Sequence, residues 1–298
     1  MLTYVAIVLD GLVYASWLFM VSVGLTLIYG VMKILNIAHG SLYAIGAYTA
    51  ASLVGAYFSA GYVPVLSFAV LVGAALAAGL VCGLVIERGV LRFMYGQDEV
   101  LMILVTYAIF LILEDLIKVF WGVSPYFAFQ PYGMLGNFDV MGLPYAGYDF
   151  LLMGLAGLTG LGVWWSINRT RTGHLLTAVI HDREMSTAMG VNVKRVYTVT
   201  FVIGATLAAL GGAFTAPKIS VTPGIGVEVI VLAFAVVVIG GLGSIGGAMI
   251  GALLVGILRA AAVHLLPEVE LFVIYAVMAL VLAFRPYGLF AAPEARKI

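Results

Sequence analysis

Ile28-Tyr29-Gly30-Val31-Met32-Lys33-Ile34-Leu35-Asn36-Ile37-Ala38-His39-Gly40-Ser41 places a polar cluster between two apolar stretches, each long enough to cross a bilayer. Asparagine, histidine and serine at membrane depth cost several kcal/mol if left unpaired. They therefore need protein partners, a wet cavity or a ligand, and a transport pathway supplies all three.

The composition around that cluster is that of a membrane protein. Hydrophobic residues make up 64% of the 298 positions and charged residues only 9%, where a soluble domain carries about a quarter charged residues. The 14 basic and 14 acidic residues cancel, which removes any electrostatic case for nucleic acid. Cys82, the single cysteine, can form no internal disulfide, and four scattered histidines show no metal-ligand spacing, so no metal or redox centre is expected. The N-terminus lacks the basic start and small-residue cleavage site of a removable signal, so the first apolar run is expected to be a retained crossing.

Apolar runs occur at about 4–30, 41–60, 64–86, 100–120, 149–167, 197–216, 229–263 and 271–284. Their hydrophobicity is continuous rather than alternating, which argues against a β-barrel, and an open sheet cannot satisfy its backbone in lipid. The expected fold is an all-α polytopic membrane protein, one transmembrane domain over 1–298 with eight to nine transmembrane helices. Arg88 and Arg92 fall in one connection, and Arg169, Arg171, Arg183, Lys194 and Arg195 in another, whereas 121–148 has no Lys or Arg and carries Asp139. The positive-inside rule then makes 87–99 and the loop 168–196 cytoplasmic and 121–148 external. Counting back, Lys33 is inside and the N-terminus outside.

As a single helix, 229–263 would put Arg285, Arg296 and Lys297 outside, against the same rule. Its middle, Gly240-Gly241-Leu242-Gly243-Ser244-Ile245-Gly246-Gly247, holds five glycines in eight residues, each costing a helix interior about 1 kcal/mol relative to Ala. A Gly-broken or re-entrant segment is therefore expected, with Glu268 and Glu270 external and the basic C-terminus cytoplasmic. Small residues also let membrane helices approach closely, which is the ordinary reading of this run. The functional reading is a discontinuous helix lining the solute route, with Gly240, Gly241, Gly243 and Ser244 offering backbone groups to it.

The loop 168–196 is too polar to cross. Ala178, Val179, Met185, Ala188 and Met189 recur at near-helical spacing among charged neighbours, as in a short amphipathic helix pressed on another surface, with Gly190 suited to its C-cap. That surface is either the lipid headgroups or a soluble motor subunit.

These segments together resemble one family, the permease subunits of ATP-binding-cassette importers for branched-chain amino acids. The resemblance rests on Gly24 to Gly30, Asn36 to Gly40, the loop from Thr172-Gly173 through Asp182 to Ala188-Met189-Gly190-Val191-Asn192, Gly240 to Ser244, and Arg285-Pro286-Tyr287-Gly288-Leu289-Phe290. It implies a bacterial-type inner membrane location and transport of Leu, Ile or Val. It further implies a second related permease, two ABC ATPase subunits that bind ATP and Mg, and an external solute-binding protein. The same family includes members resembling carriers of urea, short amides and aromatic acids, and no motif separates the branches. This chain has no Gly-x-x-x-x-Gly-Lys-Ser/Thr loop of its own, so it is expected to be no enzyme and to carry no cofactor.

For an importer of this kind the candidate motor contacts are Arg171, Gly173, Asp182, Gly190 and Asn192: charge pairing for the first and third, close approach for the glycines, capping for Asn192. Asn36, His39 and Ser41 are the pathway candidates, placed at the inner end of the first helix pair, where His39 can bond backbone and Asn36 can cap the next helix. Glu114 and Lys118 stand at i and i+4 and read as a local ion pair, leaving Asp115 to face a partner permease with Tyr107. An ion-gradient-driven secondary transporter is the alternative class, although no internal repeat is evident. A membrane-embedded transferase would need more than Asn36 with His39. A reporter fused after Ile298 is expected to be active in the cytoplasm; activity confined to the external side would overturn the topology.

Overall fold

Helices carry the fold of residues 2–290, which the computed structural model describes. The first half contains α1 (Leu2–Met32), α2 (His39–Ser59), α3 (Ser67–Ile86), the one-turn α4 (Arg92–Met94) and α5 (Glu99–Trp121). A short α6 (Gln130–Gly133) and a hairpin of β1 (Asn137–Val140) with β2 (Leu143–Ala146) lead into α7 (Gly147–Arg169). Two short helices follow, α8 (Arg171–His181) and α9 (Arg183–Ala188), and the chain then forms α10 (Val193–Thr215), α11 (Ile225–Gly240), α12 (Ile245–Leu265) and α13 (Glu270–Phe284). Among the described residues six spans are long and apolar enough to cross a membrane by length and composition: α1, the rod Pro64–Met94, α5, α7, α10 and α12.

Side-chain pairings fix which ends lie together. His264 at the end of α12 pairs with Asp10 near the start of α1, and Lys218 after α10 pairs with Asp149 at the start of α7. Arg259 on α12 pairs with Glu270 at the start of α13. These residues and the β-hairpin define one end of the bundle. The hairpin itself is an addition to the all-α expectation. Met141 and Gly142, both at positive φ, form its two-residue turn, and Asp139 Oδ1 accepts from the Gly142 N–H at 2.6 Å. The opposite end carries α8, α9 and the arginine-rich connections and is the basic end.

α1 is the central helix: 83% of its apolar window is buried, against 17% for α7. It crosses α10 where a Cβ at Gly24 would lie 2.6 Å from the Gly204 carbonyl oxygen. The two run antiparallel, since Val21 faces Gly211 and Ile28 faces Gly204. α12 packs antiparallel on α1, with Gly11 against Ile257 and Gly30 against Gly243. α3 packs the same way on α10, with Gly79 against Thr206 and Gly83 against Val202.

The exchange continues further. After α1, the irregular segment 33–38 leads to α2, which runs toward the hairpin end and packs on α5 and α10. After α10, the irregular segment 216–224 leads to α11, which runs toward the basic end and packs on α13 and α1. The set α1, α2, α3, α5 thus has an inverted counterpart in α10, α11, α12, α13, the internal arrangement that the sequence did not reveal.

The 229–263 run is a helix pair, as expected. Ser244 caps α12 by accepting from the Gly247 N–H at 3.0 Å, and Gly241 and Gly243 hold the turn at φ 106° and 83°. Leu289 and Phe290 N–H groups then donate to the Ile239 and Gly240 carbonyls, both at 2.9 Å, so the Arg285 to Phe290 segment satisfies the open C-terminus of α11. Arg285 therefore lies at the basic end, whereas Arg296 and Lys297 lie outside the described residues.

Packing this close makes some glycines irreplaceable. A Cβ at Gly46 would lie 2.5 Å from the Ala209 Cα, whereas one at Gly55, on the same helix, meets nothing within 4 Å. Gly46→Leu is expected to destabilise the protein by about 1–3 kcal/mol or more, read as a lower unfolding midpoint in detergent. Gly55→Leu serves as the neutral control.

Candidate functional site

The polar cluster lies in the middle of the bundle. His39 Nε2 donates to the Val21 carbonyl at 3.0 Å, and Val21 is eleven residues before the end of α1, about 16 Å up the helix. Ser41 Oγ donates to the Phe110 carbonyl at 3.4 Å, eleven residues into α5 and again about 16 Å along. With a hydrocarbon core about 30 Å thick, the break at 33–38 turns back to half depth before α2 begins. This corrects the expectation that Asn36, His39 and Ser41 sit at the inner end of the helix pair and that 41–60 starts at the membrane edge.

A single threonine holds the returning segment. Thr106 Oγ1 on α5 donates to the Leu35 carbonyl at 3.1 Å, and the Ile37 N–H reaches the same hydroxyl at 3.4 Å. Lys33, at φ 56°, reverses the chain just after α1.

α11 also begins at this depth. A Cβ at Gly226, in its first turn, would lie 2.9 Å from the Gly40 carbonyl oxygen and 2.6 Å from Glu114 Oε1. Glu114 is buried, accepts from Ser41 Oγ at 3.4 Å and takes a backbone hydrogen bond from Gly224, directly before α11. One carboxylate thus faces the N-termini of two half-helices, where the helix dipole favours negative charge. The Glu114–Lys118 pair expected from spacing does not form. Lys118 bonds Asp115 instead, at 3.1 Å on the exposed face of α5, and Tyr107 is exposed and stacks on Phe110.

Asn36 does not cap α2. The N-cap position is Ala38, with no side-chain cap, and both polar atoms of the fully buried Asn36 side chain lack a hydrogen-bond partner among the described residues. His39 Nδ1 is in the same position, as are Ser22 and Thr26 on α1, which flank Gly24, the residue that His39 packs against. Unsatisfied polar atoms concentrated at one buried break mark a place where water, solute or a rearranged partner has to be accommodated.

The glycine run is separate from this centre. Gly243 faces Gly30, nine residues beyond Val21 on α1 and about 14 Å toward the basic end. Gly240 packs on Gly247, so Gly240, Gly241, Gly243 and Ser244 form a tight turn rather than part of the mid-depth cluster.

In the basic loop, the single amphipathic helix expected from spacing is two helices. Asp182 ends α8 and caps α9, accepting from the Met185 N–H at 2.8 Å. Gly190, at φ 85°, donates to the Thr187 carbonyl while Val191 donates to that of Ser186, a Schellman C-cap. Asn192 then caps α10 through the Arg195 N–H at 3.0 Å. Gly173 is buried against the Ser166 and Ile167 carbonyls of α7, so it fits close approach within the chain rather than to a partner. The buried face of the pair is Leu176, Val179 and Ser186; Ala178, Met185, Ala188 and Met189 are exposed, and Arg171 and Met189 border a groove of about 490 Å³.

Sequence reasoning missed a charged cleft of about 280 Å³ at the hairpin end, lined by Asp10, Tyr14, Asp149, Lys218, Arg259 and His264. Arg259 lies 4.1 Å from the Tyr14 ring centroid. Tyr145 bonds Asp10, and burial first and that carboxylate second push its hydroxyl up to about 12. A lone arginine inside the 229–263 apolar run was the available signal.

Inverted sets of membrane helices meeting at a broken, polar centre define a membrane transport protein. The profile described as the permease component of branched-chain amino acid transport systems matches residues 7–282, and the chain belongs to that family. It is 29% identical to the high-affinity branched-chain amino acid transport permease BraD of Pseudomonas aeruginosa, over 99% of this chain and 98% of that protein. It is also 29% identical to LivH of Escherichia coli K12, over 97% and 96%, and 27% identical to the ribose import permease RbsC of the same organism, over 80% and 72%. No solved structure gives a significant match.

Removing the Glu114 carboxylate leaves the Gly224 N–H without its acceptor and the Ser41 hydroxyl with only the Phe110 carbonyl. Glu114→Ala is expected to cost about 1–3 kcal/mol, and Glu114→Gln less because an acceptor remains, both read from unfolding midpoints in detergent.

Proposed function

We propose that the chain is the transmembrane subunit of an ATP-driven importer of Leu, Ile and Val, forming the pathway with a second, related permease. The observation that carries this reading is the meeting of α2 and α11 at half depth, around Gly40, Gly226 and Glu114. A helix end at that depth points the positive end of its dipole at a polar solute and can tilt without dragging a full transmembrane rod. Asn36 and His39 supply unfilled hydrogen-bonding positions beside it.

Two ATPase subunits, which bind ATP and Mg, dock at the basic end, and an external solute-binding protein docks at the hairpin end. The clustering of arginines at one end supports a cytoplasmic assignment for it; the N-terminus is then external and the C-terminus cytoplasmic. Met185 on α9 and Met189 just after it expose apolar side chains, and Arg171 lies at the start of α8. Gly173 couples α8 to α7, and Asn192 couples the loop to α10, so a push on α8 and α9 reaches two crossing helices as a rigid-body displacement. Alternating access follows when each position of these helices opens the centre to one side. Asp115 and Lys118, on the exposed face of α5, are the candidates for contact with the second permease.

Purification from native membranes in mild detergent, with mass spectrometry and an ATPase assay, tests the assembly. A second permease and two nucleotide-binding subunits are expected; recovery of this polypeptide alone, active in liposomes under an ion gradient, would assign it to the secondary transporters. Within the assembly, Met189→Asp is expected to reduce amino-acid-stimulated ATPase coupling about tenfold, the effect of losing one buried methionine side chain. It is a cleaner probe than a substitution at Gly190, whose positive φ strains any other residue.

A further inference from the structure

α3 and α10 leave a groove of about 440 Å³ between them at the basic end, distinct from the mid-depth centre. Its two halves differ in character. Toward the bundle middle it is lined by Leu80, Leu84, Val199, Val202 and Ile203. At its mouth stand Arg88, Arg92, Lys194 and Arg195. None of the four basic side chains has a salt-bridge partner among the described residues.

The local acid does not neutralise them. Glu87, next to Arg88, is fully buried and accepts from the Tyr95 hydroxyl at 2.6 Å, and Tyr95 packs edge-on against Tyr197. The turn Glu87–Leu91 is π-helical, the single-turn bulge within a helix that is frequent at functional sites. Here the carboxylate goes inward, while Arg88 and Arg92 both line the groove. Four cations at one mouth repel one another unless an anion joins them.

We infer that this groove binds an anionic phospholipid, its phosphate held by Arg88, Arg92, Lys194 and Arg195 and one acyl chain lying along Leu80, Leu84 and Ile203. The two requirements select the ligand. A soluble phosphate satisfies only the mouth, and a zwitterionic lipid satisfies only the apolar half and brings its own cation to the arginines. A lipid with two phosphates matches four basic side chains better than one with a single phosphate. The ion-pair geometry suits arginine, whose planar fork can hold two phosphate oxygens.

The test uses the full-length protein, purified in mild detergent and stripped of lipid, with native mass spectrometry after titration with diphosphatidylglycerol, phosphatidylglycerol or phosphatidylcholine. Retention is expected in that order, and soluble glycerophosphate should not compete. Each basic side chain removed is expected to weaken retention about fivefold, so Arg88→Gln with Arg92→Gln should lower it about 25-fold, while Arg88→Lys with Arg92→Lys keeps most of it. Leu84→Trp, which fills the apolar half and leaves the charges, should lower it as well. Equal retention of phosphatidylcholine, full competition by glycerophosphate, or no effect of either the Gln pair or Leu84→Trp would overturn the site. Loss of ATPase subunits from the Gln pair with lipid retention unchanged would likewise overturn it and assign the arginines to a protein contact.

Discussion

The Glu114 carboxylate, between Ser41 on α2 and the Gly224 amide before α11, is the interaction on which the centre depends. Two helices that begin inside a bilayer expose first-turn N–H groups where no bulk water can reach them. The chain answers with local turns, His39 and Leu42 N–H groups bonding the Asn36 and Ala38 carbonyls, and Val227 bonding that of Gly224. Thr106 serves the returning segment from the side, and Glu114 places acceptor oxygens beside both helix ends. With these partners in place the fold tolerates two breaks at half depth.

Close approach of the helices follows from the same requirement. Half-helices can share one carboxylate only if their backbones nearly touch, and Gly40 with Gly226 permits this where any side chain would intervene. Gly24 with Gly204, Gly46 with Ala209, and Gly11 with Gly256 extend the pattern through the bundle. In lipid there is no hydrophobic gain in bringing helices together, so contact between small residues carries much of the association. The inverted exchange of α1–α12 for α10–α3 places such contacts on both α1 and α10.

The two ends of the bundle are built differently because they meet different neighbours. At the hairpin end, Asp10, Asp149, Lys218, Arg259, His264 and Glu270 pair among themselves. At the basic end no lysine or arginine has a salt-bridge partner among the described residues, Met185 on α9 and Met189 just after it are exposed, and caps by Asp182, Gly190 and Asn192 fix the helix directions. Self-satisfied charge at one end and unsatisfied charge at the other is a physical asymmetry that partners or lipids can read.

The sequence by itself determined the membrane class, the family, the break near Gly240 to Gly247, the capping roles of Gly190 and Asn192, and a histidine bonded to backbone beside a broken helix. These are local properties: apolar run length, glycine cost and cap chemistry act within a few residues. Only the tertiary structure decided that Asn36 to Ser41 lies at half depth, that Glu114 serves Ser41 and Gly224 instead of Lys118, that Asn36 caps nothing, and that Gly173 packs on α7. Each of those depends on which helix stands opposite, and spacing along one helix cannot report it. The inverted arrangement was hidden for the same reason, since corresponding helices share a packing role and not a residue pattern. Glycine marks the contacts in the sequence, but the partner backbone that requires each glycine is chosen by the fold.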